Sequence, residues 1–328
     1  RESPEAGSQC AGGPLIRLRQ EAGRRMKQKA DPARADRVPF AVTVIVFTVL
    51  MLSLGDALIK FTSGEFVIWQ IFVLRSLIVL PVLVGLLWWT ARDSLSLPPS
   101  LGWAIVRSAL LVGMWIAYYL ALPRLDLSVA AAVYYTLPIF ITLFSALFIG
   151  DRISAAGWGA VFLGFVGVLL ILRPDAGDFN PYALLPLVAA ILYALAMILT
   201  RTRCRAVHPL MLSLLLNVTF VVAGLVATAV IGLSVVDTRD GFLLGPWAAM
   251  GAGEWAAMAL LACAILVGSV GAAIAYQNAP PAVIGTFDFG YVAFALVWGF
   301  VFFAEVPDVW SLTGMALIVI AGVIALRQ

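Results

Sequence analysis

The sequence predicts an all-α, polytopic membrane protein with ten transmembrane helices arranged as an inverted five-plus-five repeat. Composition is the first observation: of 328 residues, 62% are hydrophobic and 12% charged, with a mean hydropathy of +1.02, whereas soluble domains carry about 25% charged residues. The second is a series of apolar runs, each long enough to cross roughly 30 Å of hydrocarbon. The third is a pattern that occurs twice. From about Asp126 to Arg173, and again from Ala279 to Arg327, an apolar span ends in an acid (Asp151, Glu305), a short polar turn follows, and a Gly-containing apolar span ends in Arg. Gly159 and Gly167 have the spacing of Gly314 and Gly322, and aligning the acids needs a one-residue insertion in the second turn. A hairpin repeated in the two halves of a membrane chain is the signature of a transporter built by duplication.

Residues 1–38 carry nine of the 21 basic residues, with Gly, Pro and Ala and no apolar periodicity. They read as a disordered, basic, cytoplasmic tail, not as a nucleic-acid-binding arm, because a basic stretch directly before a first span anchors it on the inside. No cleavable signal peptide is expected, since the first apolar run is too long for an h-region and lacks a small-residue cleavage site. The sequence starts at Arg1, not Met, so its numbering need not start at the natural initiator.

The expected spans are 39–61, 65–90, 101–122, 127–149, 154–172, 181–200, 209–233, 254–277, 280–303 and 308–326. They form a first five-helix repeat over residues 39–173 and a second over 174–328. Connections as short as Thr62-Ser63-Gly64 make neighbouring spans antiparallel. The one long connection, from Ser234, has room for a surface-lying segment. With the N-terminus inside, the cytoplasmic side receives the basic tail, Arg92, Arg152, Arg201, Arg203, Arg205 and Arg327, and the other side keeps Lys60, Arg124, Arg173 and Arg239. Both termini are therefore expected in the cytoplasm. Five spans per half is an odd number, so the second half must be inserted upside down relative to the first.

Ten spans in two halves, with the stretches PIFITLFSALFIGDR and FVFFAEVPDVWSLTGMALIVIAG, resemble the drug/metabolite transporter (DMT) superfamily, specifically its EamA-domain branch. The resemblance covers everything after about Pro39. Within that branch, GDALIK in the first span, QIFVLR in the second and FDFGYV in the ninth are similar to bacterial carriers for riboflavin or S-adenosylmethionine uptake. The chain departs from the family by carrying Asp151 where Glu is usual. The resemblance implies a bacterial cytoplasmic (inner) membrane location and alternating-access transport of a small organic metabolite. It also implies a cavity formed by the first, third, fourth, sixth, eighth and ninth spans. The fifth and tenth would pack outside, where they support a homodimer in some members. Importers and exporters both occur in the family, including broad exporters of amphiphilic compounds.

Ionisable groups inside a bilayer are costly and are functional suspects. Asp56, Lys60, Arg75, Arg107 and Asp288 lie within spans. Arg75 is roughly 15 Å into its span, near the midplane, and needs a carboxylate, carbonyls, water or a substrate anion. It reads either as part of a substrate pocket or as a lock between the first two helices through Asp56. Arg107 and Lys60 lie near span ends and are expected to snorkel. Asp56 and Lys60, at i and i+4, share a helix face and could neutralise one another. Asp288, between Phe287 and Phe289, could face the cavity and carry a coupling proton, or be neutralised by Arg75 or Arg107.

Aromatic and amide side chains concentrate in the expected cavity helices: Trp115, Tyr118, Tyr119, Tyr134, Tyr135, Tyr193, Asn217, Tyr276, Gln277 and Tyr291. Of these, Trp115, Tyr119, Tyr135, Tyr193 and Tyr291, with Arg75, are the candidate substrate contacts, and Asp56 and Asp288 the candidate coupling acids. Trp88, Trp89, Trp298 and Trp310 are expected in the interfacial belt. Pro138, Pro186, Gly290 and Gly299 interrupt spans, and interruptions of that kind are tolerated only against protein or a water-filled cavity. The glycines of the fifth span serve close packing.

Scattered Cys10, Cys204 and Cys263 and a lone His208 offer neither a disulfide framework nor a metal site. No P-loop is present and no cofactor is called for. An integral membrane enzyme would need a nucleophile, acids or metal ligands converging at one depth, and a channel a continuous polar stripe; the sequence offers neither pattern. The expected partners are a small organic solute and membrane lipids.

Overall fold

A computed structural model describes residues 37–92, 98, 100–148, 154–172, 180–233, 241–288 and 290–326. In lipid every backbone N–H and C=O must be satisfied within the protein, which leaves helices or closed barrels. The described residues form helices and no strands. In chain order these are α1 Val38–Thr62, α2 Ile68–Thr90, α3 Leu101–Ala121, α4 Leu127–Tyr134, α5 Leu137–Phe148, α6 Ala155–Leu172, α7 Leu184–Thr202, α8 Pro209–Leu233, α9 Gly241–Leu244, α10 Ala252–Asn278, α11 Pro281–Asp288, α12 Gly290–Phe303 and α13 Val309–Leu326. Seven segments are long and apolar enough to cross a membrane: α1, α2, Leu101–Arg124, Leu127–Phe148, Pro181–Thr202, α8 and α10. Ala155–Ile171, Gly290–Phe303 and Val309–Ile324 are shorter apolar helices. The basic tail, Asp151, Arg152, Arg173, Arg239, Phe289 and Arg327 lie outside the described residues.

The chain is a polytopic membrane protein with the polarity of a soluble one reversed. Phe162 and Phe165 on α6, Val222, Leu225 and Val226 on α8, and Phe300 and Val301 on α12 are exposed. Asp56, Gln70, Arg75, Arg107, Asn217 and Asp288 are buried. Lipid is as apolar as these outer side chains, so the bundle loses nothing by displaying them and must instead enclose its polar groups.

The fourth span is not one helix. α4 stops at Tyr134 and α5 starts at Leu137, with the Thr136 N–H and Oγ1 both turned back to the Val133 carbonyl at 3.2 and 2.9 Å. The cause is legible in the chain: residue 138 is a proline and has no N–H to return to the Tyr134 carbonyl. Pro186, by contrast, interrupts nothing. It is the third residue of α7, in the first turn, where an N–H would have no intrahelical partner.

The helices pack in a recurring set of pairs: α1 with α10, α3 with α7, α2 with α8, α6 with α13, α12 with α1, α5 with α7, α3 with α8, and α10 with α2. Contact between α6 and α13 depends on two glycines facing each other. A Cβ at Gly167 would lie 2.8 Å from the Gly314 carbonyl oxygen, and one at Gly314 would lie 2.6 Å from that of Gly167. The long connection after α8 is fastened to α2: Trp69 Nε1 donates to the Leu243 carbonyl (2.9 Å), and the Gln70 amide exchanges hydrogen bonds with the Ala248 backbone at 2.9 and 2.8 Å.

Gly167→Val is expected to separate α6 from α13 and cost about 1–3 kcal/mol by overpacking, whereas Gly159→Ala, whose added carbon would meet nothing within 4 Å, should stay within about 0.5 kcal/mol of the parent. Thermal melts of the detergent-solubilised protein check this; equal losses from both variants would remove the helix contact as the cause.

Candidate functional site

Four ionisable side chains lie in the centre of the bundle, and no two of them pair directly. Asp56 and Asp288 are 2% exposed, Arg75 and Arg107 1%. An ion pair lies elsewhere, between Lys60 and Glu305. What holds the buried carboxylates is tyrosine. Tyr291 donates to Asp56 Oδ2, and Tyr118 Oη lies 3.1 Å from Tyr291 Oη. Tyr119 also reaches Asp56. Tyr276 donates to Asp288 Oδ2 at 2.9 Å, with Tyr135 as a second hydroxyl partner.

The rings bearing these hydroxyls touch one another. Tyr119 meets Tyr118 (6.3 Å between centroids), which meets Tyr134 (5.2 Å); Tyr134 meets Tyr193 (5.8 Å), and Tyr193 meets Tyr276 (6.3 Å). Tyr135 stacks on Tyr291 at 5.0 Å and 25°. The shortest link between the two acids is therefore Asp56, Tyr291, Tyr135, Asp288, spanning the first, ninth and fourth spans. Seven of the eight tyrosines belong to this cluster. They come from α3, α4 and the turn after it, α7, α10 and α12. The break after α4 lets Tyr134 and Tyr135 point to different neighbours, since their rings stand at 86°.

Arg75 enters from α2 and lies among Phe220, Phe72, Tyr119 and Trp115, its guanidinium carbon 4.6, 5.0, 5.7 and 6.0 Å from their ring centres. Its Nη1 donates to Tyr119 Oη at 3.2 Å, while Nε and Nη2 are buried without a hydrogen-bond partner. The lock expected between Arg75 and Asp56 thus has a tyrosine hydroxyl inserted in it. Cation–π contact offsets part of the cost of burying the charge, and a ring wall supplies no acceptor for the remaining N–H groups.

Four readings offered by the sequence are corrected. Asp56 and Lys60 do not pair: Lys60 binds Glu305 and donates to the Leu125 carbonyl (2.7 Å), and Glu305 Oε2 accepts from the Leu127 N–H (2.9 Å). The competing acid is delivered by the turn after α12, where Ala304 adopts φ 53° and the Glu305 N–H returns to the Gly299 carbonyl at 3.1 Å. A Cβ at Gly299 would sit 3.0 Å from Glu305 Oε2. Arg107 does not snorkel, because α7 covers it and Thr200 Oγ1 accepts from its Nε at 2.7 Å. Asp288 is neutralised by neither arginine. Trp298 also leaves the expected belt, donating to Ser53 Oγ at 3.1 Å, while Trp88, Trp89 and Trp310 are exposed.

All eight candidate residues, Asp56, Arg75, Trp115, Tyr119, Tyr135, Tyr193, Asp288 and Tyr291, fall in this one cluster. Tyr118, Tyr134 and Tyr276 join it as hydroxyl or ring partners. Their signal in the sequence was the aromatic enrichment of the same spans, which does not say which face a ring takes. Gln277 and Asn217 stay outside it. Gln277 Nε2 binds the Val207 and Cys204 carbonyls at 2.7 and 3.2 Å, and Asn217 donates to Ser213 O at 2.9 Å. The space at the site is small: voids bordering it measure about 30 and 10 Å³, on the scale of individual water molecules.

Comparison with known proteins places this geometry. The profile of the EamA-like transporter family matches residues 39–173. The riboflavin transporter of Rhizobium johnstonii is 30% identical over 227 residues, 68% of each chain. The pseudopaline exporter CntI of Pseudomonas aeruginosa is 25% identical over 287 residues, 87% of this chain and 95% of that one. The S-adenosylmethionine uptake transporter of Rickettsia bellii is 29% identical over 97 residues, 30% of this chain and 33% of that one. A crystal structure with 20% sequence identity aligns with a TM-score of 0.60 over 87% of this chain and 96% of its own, a likeness of fold.

Glu305→Gln and Lys60→Met should each lower stability by about 3 kcal/mol, since each strands a mostly buried partner, and the double variant should lose less than their sum. Thermal melts of the four proteins check the coupling; strictly additive losses would mean that the two side chains do not depend on each other.

Proposed function

The chain belongs to the EamA-like transporter family, and from that premise we propose a secondary active carrier that moves a small organic metabolite across the cytoplasmic membrane by alternating access. The observation that carries the mechanism is the pair of buried carboxylates, each held by tyrosine hydroxyls and by no cation. A carboxylate in an ion pair is committed to its charge. One held by hydroxyls keeps its hydrogen bonds in either protonation state, because a hydroxyl can donate or accept. Asp56 and Asp288 are in this reading the coupling groups, taking up protons from one side and releasing them to the other. Arg75, Trp115, Tyr119, Tyr135, Tyr193 and Tyr291 contact the solute, and a ring-lined site suits a flat one.

Alternating access is supported by the packing pairs. With α4–α5 as the fourth span and α11–α12 as the ninth, exchanging the two halves turns the α1–α10 pair into α7–α3, α12–α1 into α5–α7, and α3–α8 into α10–α2. It leaves α2–α8 and α6–α13 unchanged. We read this relation as two five-helix repeats, 39–173 and 174–328, inverted because five spans is an odd number and with both chain ends on the cytoplasmic side; the α8–α10 pair is not matched by a comparable contact between α2 and α3. Relatives include uptake carriers and an exporter, so direction is an outcome of measurement and not a premise.

The test is counterflow in proteoliposomes, with and without an imposed proton gradient, over flavins, S-adenosylmethionine, amino acids and amphiphilic cations. Saturable counterflow of one of these is expected, and a linear, non-saturating flux would support a channel instead. Asp288→Asn should retain counterflow and lose the response to the proton gradient. An undiminished response would end the assignment of Asp288 to coupling. Arg75→Ala should abolish transport while the protein remains in the membrane; unchanged uptake would leave Arg75 a packing role only.

A further inference from the structure

Arg107 is the buried cation that the reading above leaves without a task. It stands two turns into α3, 1% exposed, and its environment is arranged to hold the guanidinium and not to neutralise it. Thr200 Oγ1 accepts from Nε at 2.7 Å and itself donates to the Ala196 carbonyl at 2.8 Å, so both the donor and its acceptor are fixed. Nη1 is buried with no partner. Among the described residues no carboxylate lies within ion-pairing distance, and the polar groups acting on it are the Cys204 thiol and the Tyr193 hydroxyl. Arg107 borders a void of about 30 Å³ that it shares with Trp115, Tyr193, Met197 and Ser269. Trp115 and Leu52 border this void and also the one beside Asp56 and Arg75. Arg107 and Trp115 are eight residues apart on one helix, about 12 Å along its axis. The two unsatisfied guanidinium groups therefore flank the same indole, one at the level of the acids and the other nearer the Thr200 end of the bundle.

A structural arginine in a low-dielectric interior is normally fully hydrogen-bonded, since each orphaned N–H keeps its full desolvation penalty. An orientation imposed through Nε alone, with an outer N–H kept free beside a void, is the arrangement that awaits a planar or tetrahedral oxyanion. We propose that Arg107 is an anion-binding residue of the transport path, and that the solute is an organic anion whose acidic group, a carboxylate or a phosphate, is received by Arg107 beside Trp115. This rests on the carrier reading and narrows it to a substrate class. Uptake of the anion together with protons on Asp56 and Asp288 would move little net charge, so the two sets of buried groups would serve one cycle.

The experiment uses the full chain, purified and in proteoliposomes, with probes that share a ring and differ in the acid: indole-3-acetamide against indole-3-acetate, and riboflavin against riboflavin 5′-phosphate. Binding is read by thermal shift and transport by counterflow. The expected result is that the acidic member of at least one pair binds about tenfold more tightly than its neutral partner, the size of one charge-assisted hydrogen bond. The carboxylate and phosphate arms say which oxyanion is preferred. Arg107→Gln should abolish that preference and leave the neutral member's affinity unchanged, while Arg107→Lys should retain most of it because the charge remains. Thr200→Val, which frees Nε, should weaken the acidic member alone.

Equal affinity within both pairs, or a preference that survives Arg107→Gln, overturns the proposal and leaves the carrier reading standing. Arg107→Gln that melts lower but still discriminates in the parent's ratio assigns Arg107 to stability and likewise overturns it. Saturable counterflow confined to neutral or cationic solutes of the wider panel rejects an anionic substrate without touching the carrier. Absence of saturable transport for any solute removes both.

Discussion

A charged group taken out of water must be answered inside the protein, and in this bundle the answers are hydroxyls and rings instead of opposite charges. Two carboxylates and two guanidinium groups lie buried in the middle of the chain, in numbers that could have paired off. They do not. Tyrosines stand between Asp56 and Arg75 and around Asp288, so that the acids are hydrogen-bonded but not neutralised and the arginines keep free donors. A directly bridged core would be cheaper to bury and would have nothing left to bind or release. The incomplete pairing is what distinguishes a working site from a structural network.

The helical frame follows from the same need. Seven tyrosines can converge only if the helices carrying them surround one point, and the exchange-symmetric packing pairs bring the first, third, fourth, sixth, eighth and ninth spans to it. Small residues allow the outer helices α6 and α13 to close on each other through Gly167 and Gly314. The break after Tyr134 turns consecutive tyrosines toward different neighbours, one stacking against Tyr291 and the other reaching Tyr118 and Tyr193. At one end of the bundle, the Lys60–Glu305 pair joins the ends of the first and ninth spans to the start of the fourth. At the other, Gln277 fastens the end of the eighth span to the turn before the seventh.

Much of this was legible before any coordinates. Hydropathy located the spans to within a few residues, because a helix in lipid must be both apolar and about 30 Å long. Proline 138 marked the broken span through its missing N–H. The eight candidate residues converge because intramembrane charge and mid-span tyrosine are rare and costly enough to mark an interior without reference to neighbours. The errors have a common origin. Lys60 shares a helix face with Asp56 and could have neutralised it, yet Glu305, 245 residues away in sequence, takes it. Arg107 was placed at the lipid boundary from its distance to a span end, yet α7 lies over it. Trp298 was counted with the belt and instead reaches Ser53 on another helix.

The sequence by itself determined the class of the protein, its apolar helices, the acids and rings that could matter, and the break at Pro138, since each of these follows from one residue or a periodic run meeting lipid or water; Pro186 and Gly299, expected as interruptions, lie within unbroken helices. Only the tertiary structure decided who partners whom. Pairing across helices depends on rotation and offset between segments far apart in the chain, and one turn of a helix exchanges a salt bridge for a tyrosine hydroxyl or a snorkelling arginine for a buried one. The proposed function rests on those unpaired charges, which one-dimensional spacing cannot distinguish from paired ones.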